Sequence, residues 1–368
     1  MRFEVLDSFR GLAAVAVIAA HIRPFMHPVF LPTAADVYLL VDFFFLLSGF
    51  VICFVYGARL NSAAQVQDYA IRRIGRIWPL HLAMLAVMLV AAVVNLLLMR
   101  SGGGGVERLQ TKYFVVSDLI EQIFLLNSLH LTRLSWNIPS WSIGAEMFAY
   151  VAFAALVVLK WARVPVFLAI IVATLVLIML LSDENMAVTS DYGVLRCAYS
   201  FFAGAVICRV HERFGHLLRL GPVLASVAEL GVLVLAVVFM VRAESSVLSY
   251  AAPLVFSLVV LVFAHEAGLL SKLLKRPFFL MLGRVSYSIY LLHFVLLVLL
   301  SMAYSPFEGV LQPIVNAVPY ASDLATAGFV VLVVLLSMVT YRFIELPGQR
   351  FAAKIANSRR AALAPIAA

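Results

Sequence analysis

Apolar runs dominate this chain and are too long for a soluble domain. An α-helix needs ~20 mostly apolar residues to cross a bilayer. Ten stretches meet that length: 9–27, 36–56, 78–99, 139–159, 164–182, 192–210, 221–242, 248–266, 285–304 and 323–344. Runs such as 80–98 and 168–181 do not alternate in polarity, which excludes the short alternating strands of a membrane β-barrel. The pattern predicts an all-α fold, a polytopic transmembrane helix bundle of about ten spans.

The basic residues set its orientation. With the N-terminus in the cytoplasm, Arg10, Arg72, Arg73, Arg76, Lys160, Arg163, Lys272, Lys275 and Arg276 fall on the inner side. Few fall outside, among them Arg100, Arg108, Lys112 and Arg133. This is the positive-inside bias, and an even span count then puts both termini in the cytoplasm. The first apolar run carries His21 and has no clean small-residue cleavage site, so it reads as a retained anchor. Residues 1–350 form one membrane domain, and 351–368 form a short basic tail expected to fray. The outer connection 100–138 opens with a glycine-rich stretch. Val116, Leu119, Ile120, Ile123, Phe124 and Asn127 then follow helical spacing, which predicts an amphipathic helix lying at the outer interface or capping the bundle. The inner connection 57–77 fits a short interfacial helix.

Composition narrows the class. Of 368 residues, 64% are hydrophobic and 12% charged, with a mean hydropathy of +1.04. That excludes a water-soluble enzyme, a disordered protein and a disulfide scaffold. The formal charge of +8 reports topology and contact with the lipid bilayer, so no nucleic-acid partner is expected. Cys53, Cys197 and Cys208 lie in apolar runs without metal-ligand spacing. They read as reduced packing residues, and no metal is expected.

Charged side chains at mid-membrane cost about 2.5–3.5 kcal/mol each, so each needs a reason. At ~1.5 Å per residue, His21 and Asp42 lie ~9 Å from the outer ends of their spans and Glu146 ~10 Å. Three titratable groups from three helices at one depth point to a site in the outer half of the bundle. Structural alternatives stand beside this. Asp42 could pair with Arg23, Glu146 could pair with Arg196, and His293 could be part of an aromatic packing stripe with Tyr287 and Tyr290.

Six motifs carry a resemblance: Leu6-Asp7-Ser8-Phe9-Arg10-Gly11-Leu12 with His21 eleven positions after Arg10; Asp42-Phe43-Phe44-Phe45-Leu46-Leu47-Ser48-Gly49-Phe50; Arg72-Arg73-Ile74-Gly75-Arg76; Trp141-Ser142 followed by Glu146; Ser286-Tyr287-Ser288-Ile289-Tyr290-Leu291-Leu292-His293; and Glu345-Leu346-Pro347. In this order they resemble the acyltransferase 3 family of integral membrane O-acyltransferases. The resemblance implies a cytoplasmic acyl-CoA co-substrate, with acetyl the leading acyl group. It also implies a glycan or lipid-linked oligosaccharide acceptor in the cell envelope, and the bacterial inner membrane as location. Some relatives append an extracytoplasmic esterase-like domain. This sequence ends soon after its tenth predicted span, so the membrane domain is expected to complete the transfer alone or hand it to another protein, such as polysaccharide export machinery.

The chemistry assigns roles. An alcohol is a poor nucleophile at neutral pH, and histidine is suited to take its proton. His21 is the candidate general base, with Glu146 or Asp42 as the carboxylate that orients the ring. Trp141, Ser142 and Ser48 are candidate substrate contacts and oxyanion donors. Arg73 and Arg76, three residues apart on one helix face, join Arg10 as the candidate site for the donor's phosphates, although inner arginines also serve topology and lipid binding. The competing class is a proton-coupled transporter or sugar-lipid permease. It shares buried acids and histidines but has no need for the arginine pair combined with Trp-Ser-x-x-x-Glu.

Overall fold

The computed structural model describes residues 3–22, 36–101, 106–129, 134–218, 220–243, 246–310, 313 and 320–363. No strand occurs among them, and the chain is an all-α polytopic membrane bundle. Eight helical segments in the described residues are long and apolar enough to cross a membrane. They contain α2 (Leu40–Tyr56), α3 (Ala63–Arg100), α6 (Ser140–Val158), α7 (Val164–Leu181), α8 (Gly193–Phe214), α9 (Pro222–Ala243), α12 (Pro277–Tyr304) and α13 (Ala321–Thr340). The remaining two predicted spans take a different form. The first is α1 (Glu4–Ile22), which starts earlier than expected and carries Glu4, Asp7 and Arg10; its predicted outer end, 23–27, lies outside the described residues. The other is a 3₁₀ turn, Val247–Ala251, running into α10 (Ala252–Phe263). Short helices α4 (Glu107–Lys112), α5 (Leu119–Ile123) and α11 (Leu269–Leu274) lie in connections, and α14 (Leu346–Leu363) ends the described chain.

Close backbone contact holds the centre together. A Cβ at Gly49 of α2 would lie 1.8 Å from the Phe201 carbonyl oxygen, and one at Gly204 of α8 would lie 2.0 Å from that of Leu46. Only glycine fits at both positions, so the helices approach to backbone distance, as small residues allow in membranes. Phe45, Phe50, Phe153, Phe167, Phe201 and Phe202 fill the surrounding interior. Large apolar side chains such as Val172, Leu180, Val223, Val227, Leu324 and Val331 are exposed on α7, α9 and α13. Such a surface suits hydrocarbon rather than water.

Three expectations need correction. The inner connection and third span form one helix, α3, capped by Ser62 and containing Pro79. The tail is not frayed over 351–363: it belongs to α14, which packs on the start of α3, with Arg72 donating to Asn357 (2.8 Å) and Arg359 to Gln67 (2.7 Å). The outer connection is not one continuous amphipathic helix. It breaks into short turns and folds back into the bundle. Trp78 Nε1 donates to the Ile123 carbonyl (3.1 Å), His81 Nε2 lies 2.6 Å from that of Gln122, and Asn127 Nδ2 donates to Ser140 Oγ (2.8 Å). Irregular backbone in a membrane protein survives where protein satisfies it, and the buried Gln122 helps do so here by donating to the Ser135 carbonyl (3.2 Å).

Candidate active site

α1, α2, α3, α6, α12 and the segment after α13 surround a cavity of about 500 Å³. Its wall holds four arginines (Arg10, Arg73, Arg76 and Arg284) and three carboxylates (Asp7, Glu146 and Glu345), together with Ser48, Ser142, Tyr150, Tyr287 and Tyr290. The periodicity of α3 explains one side, since Arg73, Arg76 and Ile77 share a face while Arg72 turns to α14. A π turn, Tyr341–Glu345, joins α13 to α14 and puts Tyr341 and Glu345 into the wall. Such turns recur at functional sites.

The polar groups of the wall are held in place. Glu146 accepts from Tyr150 Oη (2.6 Å) and from Ser48 Oγ. Arg73 sits between two tyrosines, its Cζ 5.7 Å from the ring centroids of Tyr56 and Tyr150, and its buried Nε has no partner. Arg10 Nη1 bonds Asp7 at 3.0 Å. Glu345 accepts from Ser288 (2.9 Å) and Gln349 (3.0 Å), and Tyr287 donates to the Ile77 carbonyl (2.7 Å). Ser142 Oγ donates to the Pro139 carbonyl (3.0 Å) and lies 2.7 Å from Tyr290 Oη. Its one proton is used, so Tyr290 must be the donor in the second contact.

Six of the nine residues expected at the site therefore line this cavity: Arg10, Arg73, Arg76, Glu146, Ser48 and Ser142. The other three do not. Asp42 is fully buried against Arg196, with Nη2–Oδ2 2.7 Å and both Nε contacts 3.1 Å, and it accepts from Ser200 Oγ at 2.8 Å. Trp141 packs on the same guanidinium, 5.7 Å from Cζ to ring centroid. His21 pairs with another imidazole: its Nδ1 is 3.3 Å from His293 Nε2. The expected convergence of His21, Asp42 and Glu146 is thus replaced by three separate clusters. Asp42 is the partner of Arg196, a place considered for Glu146, because a buried guanidinium requires the nearest carboxylate.

Sequence reasoning missed Arg284, Tyr150, Tyr287, Tyr290 and Glu345 as wall residues. The signal was present in α12, where Gly283, Ser286, Tyr287 and Tyr290 recur at helical spacing and share the face that lines the cavity.

Comparison with known proteins now decides the class. The family model described as an acyltransferase domain matches residues 3–342. The chain belongs to the acyltransferase 3 family. Among curated relatives it is 25% identical over 367 residues to the peptidoglycan O-acetyltransferase OatA of Listeria monocytogenes, covering 93% of this chain and 55% of that protein. It is 38% identical over 88 residues to Protein 2 in picA locus of Rhizobium radiobacter, covering 24% of this chain and 44% of that protein. The chain spans about half the length of these curated relatives. No solved structure matches it. As a multi-pass membrane acyltransferase it is set apart from the carrier class, which shares its buried acids and histidines but not its family.

The acyl donor that the family implies can be tested against the wall. The orphaned Arg73 Nε and the aromatic faces around it fit a ligand bringing phosphate oxygens and flat or apolar groups, and the volume falls in the range of small-molecule sites. Among the described residues no cluster of His, Cys, Asp or Glu is arranged to hold a metal ion. Cys53, Cys197 and Cys208 are buried and free.

Proposed function

We propose that this acyltransferase is an O-acyltransferase of the bacterial inner membrane. It takes an acyl group, acetyl in the first instance, from acyl-CoA at the cytoplasmic face and places it on a hydroxyl of a cell-envelope or exported polysaccharide, with His21 as general base. The observation that carries this most directly is the arginine-lined cavity, with a histidine outside its wall on the same helix as one of its arginines: Arg10 and His21 lie eleven residues, or ~16 Å, apart on α1.

In this account Arg10, Arg73 and Arg76 receive the donor's phosphates, and Tyr56 and Tyr150 hold the Arg73 fork in orientation. Glu146 fixes Ser48 and Tyr150 rather than an imidazole. The pantetheine arm runs past Tyr290 and Phe44, whose rings touch at 5.6 Å, toward His21. His21 takes the proton of the acceptor hydroxyl as its oxygen attacks the thioester carbonyl. The C–O bond forms, the C–S bond breaks, and the departing thiolate takes the proton from His21. The name of the Listeria relative supports an acetyl group and a glycan acceptor.

Mass analysis of surface polysaccharide tests the proposal. Cells with the wild-type protein should carry ester-linked acyl groups that cells with His21→Ala, inserted at equal level, lack. Equal acylation in both would remove His21 as the base.

A further inference from the structure

The partner of His21 is an imidazole, and the backbone carbonyls around the pair favour one arrangement of protons. His21 Nδ1 lies 3.2 Å from the Val17 carbonyl, and His293 Nδ1 lies 3.2 Å from the Ile289 carbonyl. Carbonyl oxygens only accept, so each Nδ1 carries its hydrogen. In a neutral imidazole the other nitrogen is then a lone pair. His293 Nε2 therefore presents a lone pair to the Nδ1–H of His21, 3.3 Å away, and that hydrogen is shared in a three-centre bond with the Val17 carbonyl. His21 Nε2 keeps the free lone pair that a base needs. The opposite tautomers would turn a lone pair toward each carbonyl.

The surroundings hold this arrangement. His293 is buried, with 1% of its surface exposed, whereas His21 is only partly covered. Phe294 stands edge-on to His21 at 5.9 Å, and Tyr290, a wall residue of the cavity, is 6.0 Å from the His293 ring. Among the described residues neither ring bonds a carboxylate. Among the described residues the acid that orients the base in a serine-protease triad thus has no counterpart on His21, and a second histidine occupies that place.

We propose that His293 is the positioning residue of acyl transfer; this rests on His21 being the base. His293 Nε2 fixes the His21 tautomer and ring direction. When His21 Nε2 takes the hydroxyl proton, the Nδ1–H bond to His293 Nε2 persists and shares the imidazolium charge. His293 gains and loses no proton through the cycle.

Paired variants of the full-length protein, assayed for acyl transfer, test this. His293→Leu keeps apolar bulk but no acceptor, and should lower kcat on the order of 10- to 100-fold, the cost of removing the partner of a functional imidazole, with donor KM unchanged. His293→Gln returns an acceptor oxygen near the Nε2 position and should recover most of that loss. Equal rates for Leu and Gln would overturn the proposal, because a packing role favours Leu. If His21→Ala is inactive while His293→Leu is fully active, the positioning role alone falls; if His21→Ala is active, the base assignment falls with it. Should the Leu variant fail to fold, nitrogen-15 spectra of histidine-labelled wild-type protein, assigned by loss of the His21 signal in His21→Ala, decide the matter. A protonated Nδ1 with bare Nε2 supports the proposal, and the reverse tautomer overturns it.

Discussion

Replacing Asp42 separates a structural role from a catalytic one. Arg196 and Asp42 are buried, at 1% and 0% exposure, and the guanidinium also donates to the carbonyls of Val188 and Tyr38 at 3.0 Å each. Asp42→Ala leaves that cation buried without its counter-charge. Breaking such a pair costs about 3–5 kcal/mol, which lowers the ratio of folded to unfolded protein by roughly two to four orders of magnitude. The double variant Asp42→Leu with Arg196→Met removes both charges and should recover much of the loss, since well-packed apolar replacements of a buried ion pair are often neutral or better. The assay is thermal or denaturant unfolding of detergent-purified protein, with acyl transfer measured on the fraction that stays folded. If Asp42→Ala unfolds like the wild type yet has lost its turnover, Asp42 acts in the chemistry and the structural assignment is wrong.

Two other perturbations probe the cavity and the central contact. Arg73→Glu combined with Arg76→Glu should weaken binding of acyl-CoA by at least ~100-fold, from about 1.5–3 kcal/mol per charged hydrogen bond, as read by equilibrium binding; unchanged affinity would take both residues out of the donor site. Gly49→Ala should lower stability by about 1–3 kcal/mol because its Cβ meets backbone that cannot yield, whereas Gly231→Ala in α9, with nothing within 4 Å, should cost nothing in the same unfolding assay.

The bundle was legible because lipid imposes long apolar runs on any helix it surrounds. The cavity wall was partly legible, since Arg73 and Arg76 share a face by spacing alone. The Asp42–Arg196 pair was not. Both charges were visible, but they are 154 residues apart, and only tertiary packing chooses between Asp42 and Glu146 as the partner. Gln122 and Asn127 misled for a related reason. Asn127 falls on the apolar stripe and Gln122 between its positions, as on one amphipathic helix, yet both are buried in a segment folded back against His81 and Ser140. In α12 the spacing of Tyr290 and His293 was plain, but a stripe of aromatic residues looks alike whether it packs or serves a site.

In the proposed reaction an acyl group offered from the cytoplasm reaches a glycan hydroxyl through this membrane domain. Inverted membrane vesicles, supplied on their outer face with acetyl-CoA labelled in the acetyl group, test it most directly. Alkali-labile label should appear on polysaccharide, dependent on His21 and on Arg73 with Arg76. Donor left unconsumed by the wild-type protein from that face, with a competent acceptor present, would contradict it.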